Sequence, residues 1–411
     1  MVYSLLIRST LAAGALVLSV AAVAAETPGG ALAPVCEMVD RCLGAHRYSG
    51  VVRLVARDGR IVDFQATGMA DIEAGRPMRR DSIFRLASMS KVVTGVAIMM
   101  LVDEGKLTIS DPVGKYIPEF GHMKVAAPGS TFADHRLVDA ERPITIRDLL
   151  THTSGLGSGP VGREAIDRMP AATTNTLAAA IPRLAASPLE FQPGSRFAYS
   201  GLAGFDTLGR VVEVVSGMDL ETFFRRRIFN LLDMKDTTFA PTAAQRDRMV
   251  TLYTRSGDHL VRAANQNLLL DPVYQHAAGG LVGTAEDYWK FAQMLANGGV
   301  FQGRRLLKAS TVALIASPVL PDTFPGLGHG MGWGLSVRHI TKGEIPSAPL
   351  AAGSYGWSGA WGTHFWIDPK RKVVAVFMGN ETGAGGAGAQ SARDFEMAVA
   401  RAIDGNDSGP R

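Results

Sequence analysis

Two cysteines, 7% aromatic residues and 19% charged residues in 411 positions leave little room for several common protein classes. So few cysteines exclude a disulfide-built scaffold, and with neither a second Cys pair nor a nearby His cluster they offer no zinc set of the usual spacing. The chain has no His-Glu-x-x-His, which removes the support for a metallohydrolase, and no Gly-x-Ser-x-Gly elbow, which counts against an α/β-hydrolase. Basic residues exceed acidic ones only as 42 to 38 and are scattered, so there is no nucleic-acid footprint. No Pro/Ser-rich linker or low-complexity run divides the chain. Past residue 25, no apolar run approaches the ~20 residues that a membrane-spanning helix needs.

What is present begins with a leader-like segment. Arg8 is followed by an apolar run over residues 11–24 that closes on Val23, Ala24 and Ala25 before Glu26. This pattern predicts a secretory signal peptide at 1–25 and a periplasmic or secreted product covering 26–411, with no stable membrane anchor. A membrane anchor is the alternative, but the run is short for one. Cys36 and Cys42 lie six residues apart just beyond it, and an even count in an exported protein favours a disulfide that staples a local loop; two unpaired thiols are the other reading.

The remaining length, about 385 residues, exceeds the usual single domain, yet nothing divides it, which fits one enzyme-sized unit with an inserted lobe. Asp58-Gly59 between β-branched runs predicts a hairpin within 49–66. A second strand pair is expected over 362–378, followed by a helix near 391–403. Helical patterns over 146–150, 176–186, 204–215 and 220–232, broken by Gly/Pro loops, mark residues 121–264 as the lobe. Strands at both ends with helices between predict an α+β fold: an antiparallel sheet flanked by helices and built from distant chain segments, with a cleft where the lobe meets it.

The most informative stretch is 84–91, where Ser88 and Lys91 precede an apolar run over 92–101 that stops at Gly105. Residues three apart on a helix share a face, about 5–6 Å between Cβ atoms. A serine hydroxyl is a poor nucleophile until a base takes its proton, and a desolvated lysine can serve. With 24 Ser and 10 Lys in the chain, chance alone supplies about half a Ser-x-x-Lys match, so the motif draws its weight from the buried helix. The competing reading has Ser88 capping the helix while Lys91 reaches out to water.

Tyr199 follows the turn at Pro193-Gly194 and precedes an apolar helix near Leu202. It is a candidate acid or base if an ammonium lies beside it, and a packing residue otherwise. Trp333, Trp357, Trp361 and Trp366 cluster near the C-terminus, where Trp357 and Trp361 could line one side of a strand. His152 sits in a Thr-His-Thr-Ser-Gly loop and reads as structural rather than as part of a triad.

Six stretches in order carry a resemblance: residues 84–91 with Ser88 and Lys91; Leu149-Leu150-Thr151-His152-Thr153-Ser154-Gly155; Pro193-Gly194 to Tyr199-Ser200; 278–287; Gly332-Trp333-Gly334; and Gly356-Trp357-Ser358-Gly359. The chain resembles the serine β-lactamase and penicillin-binding superfamily, in the branch of class C β-lactamases and family VIII carboxylesterases. The resemblance implies the β-lactamase/transpeptidase-like fold, Ser88 as the acylated nucleophile, and Lys91 and Tyr199 as a proton-handling pair in which either could be the first base. It implies an oxyanion hole from the Ser88 and Ala360 amides, with Trp357, Ser358 and Gly359 bordering the substrate. No cofactor or metal is required, and the substrate is a small ester or a β-lactam-like molecule; the oligomeric state is not indicated. Two departures matter. Gly201 stands where the family's Tyr-x-Asn has its amide, and Trp357 stands where its Lys-Thr-Gly has a cation. Both weaken recognition of penicillins and favour an exported esterase, over a β-lactamase or D-amino-acid peptidase, or a catalytically silent binding protein.

Overall fold

The computed structural model describes residues 32–343, 350–386 and 388–407. The leader at 1–25 lies outside them. An eight-stranded antiparallel sheet organises the chain. Its strands are β1 (Gly50–Arg57), β2 (Arg60–Asp71), β3 (Arg76–Pro77), β4 (Met331–Trp333), β5 (Arg338–Ile340), β6 (Tyr355–Ser358), β7 (His364–Asp368) and β8 (Val373–Met378). The spatial order is β4-β5-β6-β7-β8-β1-β2-β3, so the two ends of the chain meet where Leu54 pairs with Val376. Asp58 and Gly59 both take positive φ (50° and 75°), the geometry of the expected tight hairpin turn.

Both faces of the central strands are covered, which is why β1 and β8 read as nearly continuous apolar runs rather than alternating ones. On one face Val51, Val55, Ala375 and Phe377 pack against α1 (Ala33–Gly44) and α5 (Gln390–Asp407), through Val35, Val39, Phe395 and Val399. On the other, Val52, Leu54, Val374 and Val376 join a larger core with α2 (Ser90–Asp103), α3 (Ala203–Ser216) and α4 (Ala285–Ala296). Every residue of α2 from Ser90 to Leu101 is buried, as its all-round apolar sequence requires, and Gly105 in a left-handed conformation follows its end.

The Cys36–Cys42 disulfide is not formed: both thiols are free. They sit on α1, where six residues advance the chain by about 240° of turn and about 9 Å of rise, so their side chains diverge. Cys42 is buried against the sheet, and the Cys36 sulfur accepts a hydrogen bond from Arg53 (3.0 Å).

Candidate active site

The residues before α2 do not continue its helix. Phe84–Arg85 form a short strand paired with Val282–Gly283, and a 3₁₀ turn at Ala87–Met89 then delivers the chain into α2. Ala87 has φ +47°, a conformation that costs an L-residue roughly 1 kcal/mol or more and turns the next side chain outward. Ser88 is accordingly the one residue from Ser82 to Leu101 that is not fully buried. Arg85, with its guanidinium buried and its pKa lowered by burial to about 10, ties this strand to the carbonyls of Val250 (3.0 Å) and Gln266.

Lys91, 1% exposed, donates to Ser88 Oγ at 3.1 Å, to the Gly201 carbonyl at 2.6 Å and to the Ala278 carbonyl at 2.9 Å. Three acceptors match the three donors of an ammonium. The capping and snorkelling alternative is thereby excluded: Nζ stays in the interior, beside the serine. Asp206 on α3 orients one of those acceptors, taking the Ala278 amide at 2.9 Å while its second oxygen holds His276 (3.1 Å).

Tyr199 arrives from the other side. Its ring lies 5.2 Å from Lys91 Nζ, and its hydroxyl accepts from Trp357 Nε1 at 3.3 Å. His152, at φ +57° and buried, packs its ring 4.4 Å from that of Tyr199 and accepts the Ser200 amide on Nδ1 at 3.1 Å. The helix that brings His152 here starts in a capping box between Thr145 and Asp148. Burial, with the Lys91 charge added, holds the His152 imidazole well below its ordinary pKa, so it is a neutral prop for the tyrosine and no triad member. Ser200 also accepts the Gly204 amide (3.0 Å), fixing the start of α3 directly after Tyr199.

Of the tryptophans, the half-buried Trp357 packs edge-on against the buried Trp333, with ring centroids 4.6 Å apart, and this pair is the aromatic wall behind Tyr199. Trp361 does not join it. It lies in the loop after β6 and is buried with Ala87 and Leu252, while Trp366 belongs to the opposite sheet face with Phe395. Gly359 is buried where a Cβ would sit 2.4 Å from the Leu86 carbonyl, so only glycine permits this approach to the nucleophile's strand. Ala360 is exposed at the head of the same loop. Ser358 departs from expectation: strand alternation turns it away from Trp357, and its hydroxyl meets His364 Nδ1 at 2.6 Å instead of facing the cleft. The sequence reading took His152 as structural but did not place it against Tyr199, and it missed the carbonyls of Gly201 and Ala278 and the part of Asp206. Among the described residues no group of three or more His, Cys, Asp or Glu could hold a metal.

A family model described as "Beta-lactamase" matches residues 35–397. Protein Rv1367c of Mycobacterium tuberculosis is 34% identical over 377 residues, covering 88% of this chain and 90% of the relative. Esterase EstB of Burkholderia gladioli is 30% identical over 381 residues, covering 83% and 88%. Among solved structures, EstCE1, described as a hydrolase with promiscuous acyltransferase activity, superposes with a TM-score of 0.78 at 27% identity, covering 90% of this chain and 98% of that one.

Proposed function

From the premise that the chain is a serine hydrolase belonging to the beta-lactamase family, we propose that it cleaves carboxylic esters through an acyl-enzyme on Ser88. The observation that carries this reading is the contact of a half-buried serine with a buried lysine at 3.1 Å, beside a tyrosine. Ser88 Oγ attacks the ester carbonyl as its proton passes to the Lys91–Tyr199 pair. The three acceptors around Nζ suit Lys91 to a hydrogen-bond-donating role, and on this reading the Tyr199 oxygen is assigned the exchange of the proton. The pair then protonates the leaving alcohol, and water completes the cycle along the same route. The amides of Ser88 and Ala360 are proposed as the oxyanion donors, worth roughly 3–4 kcal/mol each by analogy with other acyl-transfer sites.

Trp357 supports an ester over a β-lactam. Where a cation would draw in a carboxylate, the site offers a neutral indole that donates to Tyr199 and packs on Trp333. The names of EstB and EstCE1 agree with this class of substrate. Export rests on the leader-like pattern at 1–25, and N-terminal sequencing of protein recovered outside the cytoplasm should begin near Glu26. The function itself is tested by p-nitrophenyl butyrate and a chromogenic cephalosporin side by side, for wild type and Ser88→Ala. Ester turnover that is lost in the variant, with little cephalosporin turnover, is the expected result. Preferred cephalosporin hydrolysis would move the protein to the β-lactamases, and failure of a fluorophosphonate to label Ser88, with no turnover of either substrate, would make it a silent binding protein.

A further inference from the structure

Behind the aromatic wall, on the opposite face of the sheet, four polar side chains form a chain with no part in the chemistry described so far. Ser358 on β6 lies 2.6 Å from His364 Nδ1, His364 on β7 lies 3.0 Å from a Glu396 oxygen through Nε2, and Arg338 on β5 bonds the same oxygen. All four are nearly inaccessible, at 3%, 2%, 1% and 5% exposure. The carboxylate can only accept, so His364 Nε2–H donates to it, and the Ser358 hydroxyl meets Nδ1 on the other side of the ring. Burial alone would raise the Glu396 pKa, but Arg338 and His364 outweigh it and hold the carboxyl below its usual range, hence ionised.

Burying such a set is not the cheapest way to fill a core, since apolar residues of similar volume are often at least as stable. Its placement gives it a use. Ser358 and His364 are direct cross-strand partners, the last pair before the loop 359–363 that carries Ala360. The two ends of that loop close on each other, where Gly359 N–H bonds the Thr363 carbonyl (2.8 Å), and its last residue is pinned to the nucleophile's strand, where Thr363 Oγ1 donates to the Leu86 carbonyl (3.2 Å), two residues before Ser88. The base of the loop is held by the Ser358–His364 bond, which Glu396 ties to α5 and Arg338 ties to β5, itself paired with β6 through Arg338 and Gly356.

We propose that Ser358, His364, Glu396 and Arg338 are positioning residues: a buried relay that clamps the base of the β6–β7 hairpin and so holds the Ala360 amide, and Trp357 beside it, at the distance the Ser88 reaction needs. This inference rests on the Ser88 acyl-enzyme reading. None of the four touches substrate; they act through the loop.

The test is Ser358→Ala, with Ser358→Thr as the variant that restores a hydroxyl, each normalised by fluorophosphonate titration of Ser88 so that rates are per intact site. An alkyl boronic acid, which adds to the serine and places an oxygen in the oxyanion position, reports on the donors directly. Ser358→Ala is expected to lower kcat on p-nitrophenyl butyrate by about tenfold, a fraction of the 10²–10³ that loss of a whole oxyanion donor costs, with KM within about twofold. Boronate affinity should weaken by the same factor as kcat, and Ser358→Thr should recover both. Glu396→Gln, which keeps volume and an acceptor for His364 but drops the charge, should shift kcat and boronate affinity in the same direction even if the alanine variant folds poorly. Unchanged per-site kcat and boronate affinity in Ser358→Ala and Glu396→Gln would overturn the relay while leaving the Ser88 reading intact. Ester turnover that survives Ser88→Ala would instead remove the reading on which the relay stands.

Discussion

Replacing Tyr199 with phenylalanine separates chemistry from folding more cleanly than any other single change at this site. The ring contacts with His152 at 4.4 Å and Trp357 at 5.4 Å survive, and only the phenol oxygen is removed. That oxygen accepts one hydrogen bond, from Trp357 Nε1 at 3.3 Å, a long bond between two half-buried side chains. Its net worth to stability is about 0.5–1.5 kcal/mol, at the lower end because the freed indole N–H can reach water. The melting temperature should therefore fall by no more than about 2–4 °C. In the proposed mechanism, however, the same oxygen exchanges the proton, a role worth a factor of about 10²–10⁴ in rate, roughly 3–5 kcal/mol of barrier. Steady-state kinetics on p-nitrophenyl butyrate, with thermal melts of the same preparations, should show kcat falling by at least about a hundredfold at nearly constant KM and stability. A variant whose kcat stays within about threefold of wild type would refute the role given to Tyr199 and place all proton transfer on Lys91.

Three further outcomes are expected. Gly201 leaves open space where a Cβ would stand, so Gly201→Asn should fold, and combined with Trp357→Lys it supplies the missing amide and cation; the cephalosporin-to-ester ratio of kcat/KM should rise by at least about tenfold, and an unchanged ratio would show that these two positions do not set substrate class. His152 is held neutral in the fold below an ordinary pKa of 6.5, so the unfolded chain binds the extra proton: its contribution leaves stability level above about pH 6.5 and lowers it as pH falls, by up to about 1.4 kcal/mol per pH unit. His152→Asn, which suits the positive φ and keeps an acceptor for Ser200, should flatten that slope in urea melts between pH 7.5 and 5.5, and parallel curves for the two proteins would contradict the assignment. Both cysteines should react with a thiol reagent in denaturant without prior reduction, and reductant should leave the melting temperature unchanged; a reductant-sensitive melt would mean that Cys36 and Cys42 are paired after all.

Much of the architecture was legible because it follows from local pattern. The Asp58-Gly59 turn, the β7–β8 pair and the buried α2 helix each carry their signal within a dozen residues. The pairing of Ser88 with Lys91 was legible for the same reason. What escaped is non-local or carried by backbone. The carbonyls that saturate Lys91 lie 110 and 187 residues away and belong to a glycine and an alanine, which advertise nothing. The left-handed turn at Ala87 has no side-chain signature, so a helix was expected where a strand and a 3₁₀ turn stand. Ser358 was placed in the cleft with its neighbours, yet a strand alternates, and Trp357 and Ser358 cannot face the same side. The cysteines show the opposite failing. Val35, Met38, Val39 and Cys42 at helical spacing after Pro34 marked an amphipathic helix, and counting thiols passed over it.

The central claim is a covalent bond to one oxygen. Wild-type protein mixed with excess p-nitrophenyl butyrate, quenched in acid within the first turnovers and analysed by intact mass and peptide mapping, should carry one butyryl group on the peptide containing Ser88, and Ser88→Ala should carry none. An acyl group on another residue, or ester turnover by Ser88→Ala at the wild-type rate, would contradict the account at its root.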